Sequence, residues 1–533
     1  MNRTGLLPKS LLLIVIMSLA TAAVAQKTGG TLKLLHRDNP SSASLQEESS
    51  NSDIVPFTSL YNNLVAFDRK DPIARAETIR PDLATEWSWN SDNTALTLKL
   101  RQGVKWHDGK PFTSADVQCT WDTILEKRDS HWRKNPRKPW YGNLKQVTAV
   151  GPYEVRFTLG RPQPSFLSFL ASGWSVVYPC HVDGTAMRRN PIGTGPFKFA
   201  EWKPNDVIRL TKNRDYWKPG RPYLDSVEWR VMNSHATRTL SFIAGQFDVT
   251  FNGDVNMNIM KDVRAQAPKA ICVTHATNVI GTMLINHTAP PFDNPKVRRA
   301  ISLALDRRAF VASRQGNGFL GGAMLSPPYG VWGLTEKQLE ALPEFQKDVE
   351  RNRAQARKLM QEAGYGPNKK VKVTYITRLN DPPHLTSSSL VADQLRNIYI
   401  EGEIEQKEYT VFVGLQLKGA YTIAFNTSAA SVDDPDVTFY QTYTCAARKY
   451  ANVSKYCNPE VDKKIDEQSA TIDSVKRKKL VQELDLQLQR EVARPSLYQY
   501  TSSTCWHPYV KGYVRSSNSL YQHNNLEDVW LDK

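Results

Sequence analysis

The chain has 533 residues, a formal net charge of +16 and 40% hydrophobic residues. That length exceeds what one hydrophobic core supports, so two or three domains are expected. The basic excess does not read as a nucleic-acid site, because Lys and Arg are interleaved with acids and the densest run, Lys476 to Lys479, falls on an amphipathic helical pattern.

Residues 1–25 read as a secretory signal peptide. Arg3 and Lys9 form a basic start, an apolar run over 11–20 is too short to span a bilayer, and Ala23-Val24-Ala25 fits a small-residue cleavage site. Loss of Arg3 and Lys9 takes the charge from +16 to +14, and no later run is as apolar. A strand is expected over 31–35, then a polar loop and a helix near 54–64. Leu96, Leu98 and Leu100 alternate with Thr97 and Lys99, the period of a half-buried strand. Asp108-Gly109 supplies a tight hairpin turn, and Thr113 with Asp116 makes a capping box that opens a helix. Strands follow over 197–200, 207–211 and 227–231. A single helix is expected over 297–314, with Ile301, Leu305 and Phe310 on its apolar face. Another runs over 352–363 and stops at Gly364. A strand over 370–377, a helix over 385–398 and a strand over 403–409 alternate as in an α/β lobe with a partly parallel sheet.

The chemistry-bearing motifs are mostly negative. Gly316-x-Gly318-x-x-Gly321 follows a helix rather than a strand, which rules out a dinucleotide fingerprint. His107-Asp108 sits at a turn and reads as structural. The ten histidines form no H-E-x-x-H and no cluster, so neither a metal nor any other cofactor is expected. No nucleophile-elbow serine and no hydrolytic carboxylate pair stands out. None of the six cysteines forms C-x-x-C. Cys445 and Cys457 bracket a short polar loop, and an oxidising compartment favours a bridge between them. Spacing leaves Cys119, Cys180, Cys272 and Cys505 open to pairing or to staying free.

Several stretches, in order, carry a family resemblance: LATEW, LKLRQGVKWHDGKPFTSADV, PIGTGPFKF, NRDYWKPGRPYLDSVEWRV, NPKVRRAISLALDRRAF, EAGY and LYQYTSSTCWHPYVKGY. Together they resemble the peptide/nickel family (family 5) of extracytoplasmic solute-binding proteins, receptors that feed ABC importers. The resemblance implies an α/β fold of two lobes, the type II periplasmic-binding-protein architecture with an extra subdomain. Lobe I would combine 26–60, 191–283 and 501–533; the inserted subdomain would take 61–190 and lobe III 284–500. Crossings near Leu284 and Tyr500 would form a hinge over a ligand cleft. A small-molecule or peptide ligand and an inner-membrane ABC permease are the implied partners, with the receptor a monomer and no nucleic acid involved. The first cysteine, Cys119, lies far from the cleavage site, so no lipid anchor is expected and the location implied is the periplasm. A dipeptide-binding relative is similar at Cys445 and Cys457, with paired cysteines flanking a loop.

Alignment with peptide-binding relatives brings Arg378 onto an arginine that holds a dipeptide carboxylate, a task suited to a planar fork. Where those relatives place an aspartate for the peptide ammonium, this chain has Ser431, which cannot neutralise a buried cation. Asp433 and Asp434 are nearby candidates for that role. Tyr329, Trp332, Asn39 and Ser41 are further pocket candidates, since aromatics and polar loops commonly line such clefts. An anionic solute or a modified peptide fits these residues better than an ordinary peptide. Two other classes remain: a secreted hydrolase using the cleft, and a chaperone-like binder of extended chains.

Overall fold

The computed structural model describes residues 26–128, 131–379, 381–519, 522 and 524–533. The expected signal peptide, 1–25, lies outside them. Three sheets organise the chain. Strand Thr31–His36 pairs in parallel with Ser226–Val231, which continues antiparallel to Val207–Lys212 and then Phe197–Lys203. A second sheet, from the inserted segment, runs Ala84–Trp89, Ala95–Leu100, Glu154–Leu159, Leu144–Gly151. The third has six strands in the order Gly318–Phe319, Ser496–Trp506, Ile271–Ile285, Ile423–Ala429, Val371–Arg378, Ile400–Lys407. Val371–Arg378 is parallel to both of its neighbours, as the β-α-β pattern requires.

Local signals explain most of these elements. Leu96, Leu98 and Leu100 are buried while Lys99 is exposed. Gly109 takes φ +90° at the turn. The Thr113 N–H donates to Asp116 at 3.0 Å, and the same carboxylate accepts Trp106 Nε1, so the capping box also anchors the turn before it. In PIGTGPF the two glycines are needed for close approach. A Cβ on Gly193 would lie 1.8 Å from the Leu60 carbonyl oxygen, and one on Gly195 2.4 Å from the Leu60 carbonyl carbon. His107 bridges the pair, accepting from Gly193 N–H at 3.2 Å and donating to the Gly195 carbonyl at 3.1 Å. Its neighbour Asp108 instead meets His181 at 2.7 Å. These partners give the His107-Asp108 dipeptide a structural role.

The strand expected over 403–409 is Ile400–Lys407 and the helix expected over 352–363 is Val349–Glu362, and three further differences have a local cause. The expected helix 54–64 begins earlier, as Asn51–Phe57 followed by a 3-10 turn Thr58–Leu60, because Ser50 caps it through the Asp53 N–H. The expected helix 297–314 is two helices, Pro295–Ala304 and Arg307–Ser313. Leu305 is extended, and the Asp306 side chain accepts from the Arg308 and Ala309 N–H groups, opening a new helix where the apolar spacing ran on. The helix expected over 385–398 is Pro382–Arg396, since Asp381 caps it and Pro382 suits its first position.

The structure contains three disulfides: Cys119–Cys180, Cys272–Cys505 and Cys445–Cys457. The last closes a separation of 12 residues. In the chain-entropy account a loop of that length is worth about 3 kcal/mol. Replacing both cysteines with serine should therefore lower stability by about that amount; a thermal or denaturant midpoint equal to wild type would remove the claim. Among the described residues, no helix is long and apolar enough to cross a membrane.

Candidate ligand-binding cleft

The cleft is built on one face of the six-stranded sheet. Side chains alternate across a strand. Met283, Ile285, Tyr375, Ile423 and Phe425 face a core that includes Val297, Ile301 and Leu395. Leu284, Ile376 and Ala424 point the other way, into a small cluster with Phe412 and Tyr421. Two residues along, that second face turns polar. Tyr375 pairs with Ile423 and Ile376 with Ala424, which carries Arg378 alongside Asn426, and Asn426 lies opposite Thr282. This row opens into a cavity of about 260 Å³. Helix Tyr409–Lys418 closes one side with Val413 and Gln416. The N-terminal part of the chain adds Arg37, Ser52 and Phe251, and the inserted segment adds Arg137, Trp140 and Trp174.

Arg378 is the centre of a charged cluster. Its Nη2 lies 3.0 Å from Asp38 and its Nη1 3.5 Å from Asp381, and the guanidinium stacks over Tyr409 at 4.4 Å. Arg37 engages the same two carboxylates, at 3.0 and 3.5 Å. Burial alone would raise the Asp38 carboxyl, but Arg37, Arg378 and the Ser52 hydroxyl hold it well below the usual range. Asp381 is likewise held far down against burial, by His384 at 2.9 Å, Arg37 and Arg378. Both carboxylates are thus ionised and committed to arginines. Five arginines line the cavity (37, 137, 314, 378 and 494) with Asp381 the one carboxylate among the lining residues described. The arrangement favours an anion.

Ser431 lines the same cavity. Its carbonyl is fixed by Ser519 and Gln522, and its buried hydroxyl has no partner among the described residues. Asp433 and Asp434 do not join it in the lining. Asp434 caps helix Pro435–Thr442 and takes both arms of Arg477 at 2.8 and 3.0 Å. Asp433 borders a smaller neighbouring cavity, its carboxyl pushed up to about 7 by burial. Trp332 donates to the Asp433 carbonyl at 3.0 Å and stacks with Arg477, while Tyr329 is 52% exposed against Phe319. Trp332 braces the acidic turn, and both aromatics lie outside the main lining. Ser41 serves Asp53, donating twice at 2.7 and 2.8 Å. Asn39 borders an adjoining cavity of about 180 Å³ that shares Arg37, Arg378 and Tyr409 with the first. Sequence reasoning pointed to the loop from Asp38 to Ser42 and did not find Arg37, Asp381, Gln416 and Arg494. Asp381-Pro-Pro did carry a legible helix-cap signal.

Comparison with known proteins agrees with this architecture. A periplasmic binding protein DppA from Helicobacter pylori, in complex with the peptide STSA, superposes with a TM-score of 0.83 at 24% identity, over 95% of this chain and 99% of that one. AgaA from A. tumefacien R10, in complex with agropinic acid, superposes with a TM-score of 0.83 at 22% identity, over 95% and 99%. The fold is therefore the two-lobed, type II periplasmic-binding-protein architecture. In sequence, the Di/tripeptide-binding protein 1 of Pseudomonas aeruginosa is 24% identical over 94% of this chain and 95% of its own length. Residues 78–450 match the bacterial extracellular solute-binding proteins, family 5, and the chain belongs to that family.

Proposed function

We propose that this protein is a periplasmic receptor that captures a carboxylate-bearing solute, an organic acid or an amine-blocked peptide, and presents it to an ABC importer. The observation that carries the ligand class is the charge of the lining: five arginines face one aspartate, itself already bound to arginine. A free α-ammonium entering beside Ser431 meets a hydroxyl where neutralisation needs a carboxylate. The relatives' ligands, a peptide in one case and agropinic acid in another, are consistent with a cleft of this type.

On this reading the protein releases its solute unchanged, works as a monomer and does not bind nucleic acid. Residues 1–25 direct export to the periplasm. Residues 26–60, 191–283 and 501–533 make one lobe, 61–190 the inserted subdomain and 284–500 the other lobe. The long paired strands Ile271–Ile285 and Ser496–Trp506, whose register breaks between Ala276 and Ile280, serve as the hinge.

Calorimetry with matched pairs of dipeptides and their N-acetyl derivatives tests the ligand class. The blocked compounds should bind more tightly to the wild type, and Ser431→Asp should reverse the order. Tighter binding of the free amines by the wild type would sink the proposal. Sustained product formation from peptides or esters would sink the receptor reading itself.

A further inference from the structure

The five lining arginines are not equivalent. Arg37 and Arg378 share Asp38 and Asp381. Arg137 donates to the Leu45 and Glu48 carbonyls and stacks over Trp174 at 4.3 Å. Arg314 lies over Tyr500 at 4.6 Å and Tyr498 at 5.4 Å. Arg494 has neither a carboxylate nor a stacking ring among the described residues. It is 7% exposed, and only its Nε is engaged, donating to Thr282 Oγ1 at 3.0 Å. The titratable groups around it are Tyr443 and Tyr421, both neutral, and burial lowers its pKa. A desolvated cation with two unused donor nitrogens costs several kcal/mol unless an anion meets it.

A second unpaired donor lies one strand along, beside the middle residue of the row. Gln416 is 2% exposed; its Oε1 accepts from Asn426 Nδ2 at 2.9 Å, and its Nε2 has no acceptor among the described residues. Asn426 is the register partner of Thr282, which holds Arg494. Two buried donor groups therefore meet the cavity with no acceptor of their own, and an acceptor-only group fits both. Thr282 and Arg378 are two strands apart across Asn426, so their Cα atoms are separated by about 10 Å. The Arg378 cluster and the Arg494 donors thus lie at two separate ends of one row.

We propose that Arg494 and Gln416 form a second anion subsite, which holds a carboxylate at the end of the solute remote from Arg378, making the natural solute a diacid. This rests on the proposed receptor function and specifies its substrate class. The probes are N-succinyl-Ala-Ala, with a carboxylate at each end, and N-acetyl-Ala-Ala, with one. Calorimetry should show the wild type binding the succinyl compound at least about tenfold more tightly, the value of one charge-assisted hydrogen bond. Arg494→Met should abolish that preference, leaving the succinyl compound bound no more tightly than the acetyl compound. It should also raise the melting temperature of the ligand-free protein, because a buried uncompensated cation is gone. Gln416→Leu should reduce the preference, and provides the same test if Arg494→Met fails to fold. Arg378→Gln should weaken both compounds; if it weakens neither, the Arg378 reading fails separately from this one. No succinyl preference in the wild type, no succinyl binding, or a preference that survives both Arg494→Met and Gln416→Leu would overturn the diacid subsite.

Discussion

Arg378→Ala should lower stability by about 3 kcal/mol, because removing one partner of a buried ion pair leaves the other uncompensated. Asp38 and Asp381 would each lose one of two arginines held at equal distance, and Arg37 would remain as the arginine facing both. That residual partner places the estimate at the lower end of the usual range for buried pairs, about 3–5 kcal/mol. Acid ligands should separately lose about 1.5–3 kcal/mol of affinity, since the fork is the group that grips them. Arg378→Lys should restore most of the stability but only part of the affinity, because a point charge balances Asp38 without reproducing two parallel hydrogen bonds. Denaturant midpoints and calorimetry on the same preparations separate the two effects. A variant with wild-type stability would show that the cluster contributes nothing to folding. Undiminished acid binding would displace Arg378 from the ligand.

The largest expected effect is acid destabilisation driven by buried histidines. Burial lowers His36 and His107 to about 4, and His275 and His287 to about 3, from an ordinary 6.5. The unfolded chain takes up these protons near 6.5 while the folded chain resists. Their stabilisation is therefore present above about 6.5 and is lost as pH falls towards 4 and then 3. Six carboxyls work the other way: burial pushes Asp53 and Asp433 up to about 7 and also raises Glu47, Asp434, Asp462 and Asp485, so they add stability as pH falls from about 7. Each of the four histidines is worth roughly 3–5 kcal/mol, and the raised carboxyls offset much of that loss above the ordinary carboxylate range. Glu527, held at about 2 against burial by Arg69 and Lys218, adds to the loss below its ordinary 4.5. Asp38 and Asp381, held far down despite burial by their charged neighbours, do the same, so stability should fall most steeply below about pH 4.5. Melting temperatures through the acid range give the test, and a stability that stays level below that pH would refute it. His275→Leu should flatten the curve most cleanly, because neither ring nitrogen of His275 has a hydrogen-bond partner among the described residues to lose.

Much of the fold is local and was legible as such. The leucine alternation over 96–100, the Thr113–Asp116 box and the Gly364 stop depend on neighbours within a turn or a strand. The break at Leu305 was hidden because apolar spacing continues through it, while the deciding term is a single cap by Asp306. The site was less legible because it assembles from distant segments. Arg378 and Ser431 could be placed by alignment, yet Asp38 is 340 residues from the arginine it binds. Tyr329 was a candidate because aromatics commonly line such clefts, and it lies outside the cavity lining. Arg494 did leave a trace: a lone charge in VARPSLY, at the mouth of a buried strand, has no bland explanation.

The two-faced sheet also constrains how this receptor can diverge. Arg378, Asn426 and Thr282 share a face only because three strands keep a common phase with the apolar residues behind them. Inserting or deleting one residue within Val371–Arg378 would turn the arginine towards the helices and bring an apolar side chain into the cleft. Lineages that change cargo are therefore confined, in these strands, to exchanging one side chain for another. Changes in length can accumulate where no such phase is kept, in the connecting segments around Arg137 and Ser431.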